Sequence, residues 1–119
     1  MPPALTVLAR GAFSERGSAG RLAVRDPAAW AALWQSHAPG EDAPAVDFAA
    51  DAVLAVFAGE KPSSGWAVEL GVADVIGGVL AVRYRVRPPV GMAQDVITSP
   101  FQIARVSRAG WQRVEFIAG

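Results

Sequence analysis

His37 is the one imidazole in this 119-residue chain, so any Ser-His-acid relay must run through it. A site needing two imidazoles is excluded. Zero Cys excludes disulfides, thiol nucleophiles, iron–sulfur clusters and Cys-ligated zinc. A metal site would need His37 plus carboxylates with no ligand spacing behind them, so no metal and no cofactor is expected. Glu41-Asp42 reads as solvated loop, and Asp47 and Asp51 flank a strand start, so nothing identifies an acid/base pair. The segment GEKPSSG at 59–65 invites comparison with a phosphate loop. It lacks the Gly-Lys-hydroxyl order, Pro62 removes a backbone donor, and no helix follows it. Trp30, Trp34, Trp66 and Trp111 could stack on a sugar or anchor a partner. The first three read as core; Trp111, just after Gly110, is the one expected at the surface.

The elements that must hold these residues are mostly strands. Residues 6–13 and 21–24 read as a hairpin across the polar loop SERGSAG. Asp26-Pro27 opens the one convincing helix: Asp26 can cap it, and Pro27 suits the first helical position. Trp30, Leu33, Trp34 and His37 follow at i, i+3, i+4, i+7 and share a face. His37 then closes that face in the last turn, where a cation complements the helix dipole. Pro39-Gly40 ends it. Residues 53–57 are apolar on both faces and predict a central strand.

Residues 66–75 and 79–87 alternate, with Arg83, Arg85 and Arg87 on the wet face of the second. Their apolar sets all sit at even positions, so a shared core face demands pairing numbers with an even sum. That predicts a three-residue Ile76-Gly77-Gly78 loop, with Val72 opposite Val82, Leu70 opposite Tyr84 and Glu69 opposite Arg85. Residues 101–106 and 111–117 complete the count. The expected fold is mainly β: a small antiparallel sandwich or open barrel of about seven strands with one packed helix, residues 1–119 forming a single domain.

Composition narrows the rest. Eleven basic residues balance 11 acidic ones, so no net positive field favours nucleic acid. The chain holds 24 Ala and 15 Val, so its core is built from small and β-branched groups. No run approaches a membrane span, and no signal peptide is visible. The compartment follows from the start: cytoplasmic if Met1 is the true one, exported if this is a trimmed mature domain.

Val46-Asp47-Phe48, VLAVFAGEKPSSGWAVEL at 53–70, RYRVRPPVGMAQ at 83–94 and TSPFQIARV at 98–106 together resemble the bacterial PrcB C-terminal-domain family, named for a subunit of a secreted protease complex. A Trp-bearing helix upstream is also a feature of that family. The resemblance implies a small non-catalytic β domain that contacts a protein partner, a protease being the first choice. Lys61 to Trp66 is similar in pattern to the Asn-Pro-Thr-Thr-Gly-Tyr loop of chagasin-like protease inhibitors, with Lys61 for Asn and Trp66 for Tyr. That likeness hints at architecture.

The loops at 60–65 and 88–97 flank one hairpin and leave it at its open end. Pro62, Pro88 and Pro89 stiffen them, which lowers the ordering cost of binding. The expected partner-binding residues are Lys61, Pro62, Ser63, Ser64, Gly65, Met92, Gln94, Thr98 and Ser99. Two other readings stand beside this one. One is a small hydrolase or lyase using His37 or a carboxylate. The other is a ligand- or sugar-binding domain using Trp66 or Trp111. A homo-oligomer is compatible with all three.

Overall fold

The computed structural model describes residues 3–119, the side chain of Val72 excepted. Seven strands and one helix follow in the order β1 (Thr6–Gly11), β2 (Gly20–Val24), α1 (Pro27–His37), β3 (Asp51–Phe57), β4 (Ala67–Ile76), β5 (Val79–Arg87), β6 (Phe101–Ser107) and β7 (Arg113–Ala118). They build one four-stranded sheet, β1-β6-β3-β2, and one three-stranded sheet, β4-β5-β7. This is the mainly β, sandwich-like architecture expected, with the helix as a third layer.

The helix starts where the sequence says it should. Asp26 keeps an extended backbone, and its Oδ1 accepts from the Ala29 N–H at 2.8 Å. Trp30, Leu33, Trp34 and His37 are its buried residues. They pack on Val53, Ala55, Phe57, Phe101 and Ile103, the helix-side face of the larger sheet. The indole N–H groups of Trp30 and Trp34 donate to the carbonyls of Pro44 and Glu41, both at 3.0 Å, and so pin the following loop. The opposite face of the larger sheet offers Ala52, Leu54 and Val106 to Ala73, Leu80 and Val82 of the smaller one. Strand β3 is thus covered on both sides, which is why its sequence carries no alternation.

Register in the β4–β5 hairpin departs from expectation at one place. Ala67, Val68, Glu69 and Leu70 pair with Arg87, Val86, Arg85 and Tyr84, as the parity argument requires. A bulge then intervenes, and Ala73 takes Val82 in place of Val72, whose side chain lies outside the described residues. The extra residue changes the parity. The connection is therefore the two-residue Gly77-Gly78 turn, with Ile76 opposite Val79, and not the three-residue loop. Both glycines have positive φ, +58° and +78°, as a type I′ turn demands.

The second departure is pairing: β1 pairs β6 and β2 pairs β3, at opposite edges of the larger sheet, so residues 6–13 and 21–24 do not form a hairpin with each other. The third is direction. β7 runs parallel to β5, from Val79↔Arg113 to Tyr84↔Ala118. After β6 the chain crosses to the other sheet at its turn end, where the Gln112 N–H donates to the Gly78 carbonyl at 2.8 Å. Both β5 and β7 set out from that end, so they cannot run antiparallel.

Candidate functional site

The hairpin places Ala67 opposite Arg87, so the loops before β4 and after β5 leave the molecule together. They are then laced to each other. Lys61 and Thr98 exchange backbone hydrogen bonds at 2.8 and 3.0 Å as an antiparallel bridge. The Ser64 N–H donates to the Gln94 carbonyl at 3.0 Å, and the Gln94 N–H donates to Ser64 Oγ at 2.9 Å. The Thr98 hydroxyl donates to the Ser63 carbonyl at 2.9 Å and is 1% exposed. Ser99 extends the cluster to the chain after β1: its N–H donates to the Ala12 carbonyl at 2.7 Å, and its carbonyl accepts from the Ser14 N–H at 3.0 Å. Gly65 has φ +89°, and a Cβ there would lie 2.6 Å from Pro89 Cβ, so only glycine lets the two loops approach. The ammonium of Lys61 sits 4.9 Å from the centre of the Trp66 ring.

The candidate residues therefore gather at one end, but they divide by role. Ser63, Ser64, Gln94, Thr98 and Ser99 tie backbone to backbone. Pro62 and Met92 face solvent. The exposed surface here is apolar: Met92 and Val90 are almost fully open, joined by Ile97 and by Phe13 at 69%. Sequence reasoning passed over Phe13, Val90, Val96 and Ile97. For Val90, Val96 and Ile97 the available signal was an apolar set in a Pro/Gly-rich stretch that fits neither strand nor helix periodicity; Phe13 carried none, since it reads as the end of the first strand.

His37 is 4% exposed and enclosed by aromatic rings, with Phe101 at 4.2 Å, Trp34 at 5.0 Å and Phe57 at 5.8 Å between centroids. Its Nδ1 shares a 2.7 Å hydrogen bond with Ser14 Oγ, which also accepts the Arg16 N–H at 3.0 Å. Burial pushes the imidazole below its ordinary pKa; Glu41 partly opposes this, and Arg16 adds to it. The carboxylates raised as alternatives are engaged singly. Asp51 pairs with Arg105 at 3.0 Å, and Asp47 accepts the Ala49 N–H at 3.0 Å. Among the described residues no three His, Asp or Glu side chains cluster.

Trp111 is a correction. It is 3% exposed, not at the surface. Its indole N–H donates to the Ser107 carbonyl at 2.7 Å, and the Arg25 guanidinium covers its ring at 4.4 Å. The crossing between sheets carries the ring inward, so it offers no platform for a sugar.

No helix among the described residues is long and apolar enough to cross a membrane. Residues 52–107 match the PrcB C-terminal family, the family that the motifs resemble. This stretch runs from β3 through β6 and includes both laced loops. No curated protein and no solved structure matches the chain.

Proposed function

With the PrcB C-terminal match of residues 52–107 as premise, we propose that this protein is a non-catalytic interaction module, an accessory subunit or modulator of a protease complex. Residues 1–119 act in this reading as a single domain. The observation that carries it is the open apolar rim of Val90, Met92 and Ile97, with Phe13 at the same end, on loops held by backbone ties. A rigid apolar rim binds a protein surface at low ordering cost. Met92 supplies an adaptable contact. Lys61, Pro62 and Gly65 shape the rim; Ser63, Ser64, Gln94, Thr98 and Ser99 hold it.

The test is co-purification after crosslinking, with proteolytic activity of the retained fraction as readout. Wild type should retain a protease. The Val90→Lys/Met92→Glu variant should lose it while its melting temperature stays unchanged. Equal retention by the variant overturns the reading.

A second reading, hydrolysis, is favoured by the Ser14–His37 contact alone. Labelling of Ser14 by a fluorophosphonate, abolished by His37→Gln, would establish it in place of the first.

A further inference from the structure

The larger sheet turns one polar rung toward the smaller sheet. Arg10 of β1 pairs with Gln102 of β6, and Gln102 pairs with Val56 of β3. Cross-strand partners stand on one face of a sheet. Val106 packs against the smaller sheet, and alternation puts Gln102, four residues before it, on that same face. Gln102 is thus an amide held between two sheets, 4% exposed.

Only half of this amide is used. Oε1 accepts the Leu70 N–H from β4, and this donor fixes the orientation of the group, because only the oxygen can face it. Nε2 has no acceptor among the described residues. No enclosed side-chain N or O among the described residues is left unpaired, so Nε2 reaches an open wall. Gln102 lines a hollow of about 570 Å³ between the edges of the two sheets. A volume of this order suits a small organic molecule.

The lining decides the chemistry of that molecule. Arg10 lines the same hollow; it is exposed and forms no ion pair among the described residues. Arg83 also lines it and adds positive field. Glu69, the one side-chain carboxylate in the lining, is held by Arg87 at 2.6 Å and Arg85 at 3.5 Å. The polar groups left over are donors: the two N–H of Gln102 Nε2 and the Arg10 guanidinium. They match an acceptor that carries negative charge. Val7, Leu70 and Tyr84 complete the wall, so that charge belongs at one end of an apolar body.

We propose that this hollow binds a small organic carboxylate, one oxygen accepting from Gln102 Nε2 and the other from the Arg10 guanidinium, with its apolar body against Val7, Leu70 and Tyr84. The site is separate from the Val90–Met92 rim, and the inference does not depend on a protease partner.

The test titrates nitrogen-15-labelled protein with 4-phenylbutyrate and follows the Gln102 side-chain amide by NMR. Those resonances should move, with the Leu70 amide beside them. The neutral 4-phenylbutyramide and the cationic 4-phenylbutylamine should bind at least about tenfold more weakly. Arg10→Gln, at an exposed position, should weaken 4-phenylbutyrate by at least about tenfold and leave the melting temperature unchanged. Gln102→Glu keeps an oxygen for the Leu70 N–H but sets a like charge against the ligand, so binding should vanish. Met92→Glu should leave binding intact. Four outcomes overturn the proposal: an unmoved Gln102 amide, equal binding of the acid and its amide, unchanged affinity in Arg10→Gln, and shifts confined to residues 88–97. A fifth is tighter binding of acetyl-Val-Leu-Phe with a free carboxylate, which would give the hollow to the chain end of a partner.

Discussion

Ala73 lies opposite Val82, the place that unbroken pairing from Leu70 and Tyr84 would assign to Val72. The one-residue bulge lets both halves of β4 keep their apolar side chains inward. Val68 is buried before it and Ala73 after it. It also makes a two-residue turn compatible with a shared core face.

The turn should therefore behave as a type I′ turn. Gly77→Asn should be neutral or stabilise by up to about 0.5 kcal/mol, because Asn tolerates positive φ there. Gly77→Val should cost about 1–3 kcal/mol, because a β-branched residue does not. Urea denaturation of both variants checks this. A stable Gly77→Val would show that the turn has another geometry.

Trp34→Ala should destabilise by about 3–5 kcal/mol, the cost of a large aromatic cavity in a packed layer. The loss includes the indole bond to the Glu41 carbonyl, so the loop after α1 should also exchange its amides faster. Calorimetry and hydrogen exchange measure the two effects.

Acid should weaken the fold through His37. Its folded-state pKa lies below the ordinary 6.5, so the unfolded chain binds the proton first as pH falls. Stability from the neutral imidazole is fully present above 6.5 and is lost as pH drops from there through the lowered folded value. His37→Gln should flatten this part of the stability profile, as read from denaturation midpoints across pH. An unchanged slope would place the titrating group elsewhere.

Gly65→Ala should cost about 1–3 kcal/mol, since it adds a Cβ where φ is +89° and the Pro89 ring is in the way. Met92→Glu, on an open side chain, should stay within about 0.5 kcal/mol of wild type. Thermal melts of the pair distinguish the ties that build the rim from the side chains that it presents.

Local chemistry was readable from the sequence wherever one segment decides the outcome. Asp26-Pro27 marks a helix start because cap and first-turn geometry involve only neighbouring residues. The Trp30–His37 spacing names the buried face because a helix repeats every 3.6 residues. The even-numbered pairing of Val68 and Leu70 with Val86 and Tyr84 is legible because strand side chains alternate every two residues; beyond Leu70 the strand gains a residue that no alternation announces, and the pairing sum turns odd. The candidate site shows the same division. Proline and glycine mark the loops at 60–65 and 88–97 as stiff and exposed. Thr98 buried under Ser63, Ser99 bound to Ala12, and Phe13 brought to the same end depend on contacts between segments far apart in the chain. Trp111 went inward, and β7 ran parallel to β5, because the chain changes sheets after β6. That crossing is decided by where two apolar faces can close on each other, and only the tertiary structure sets it.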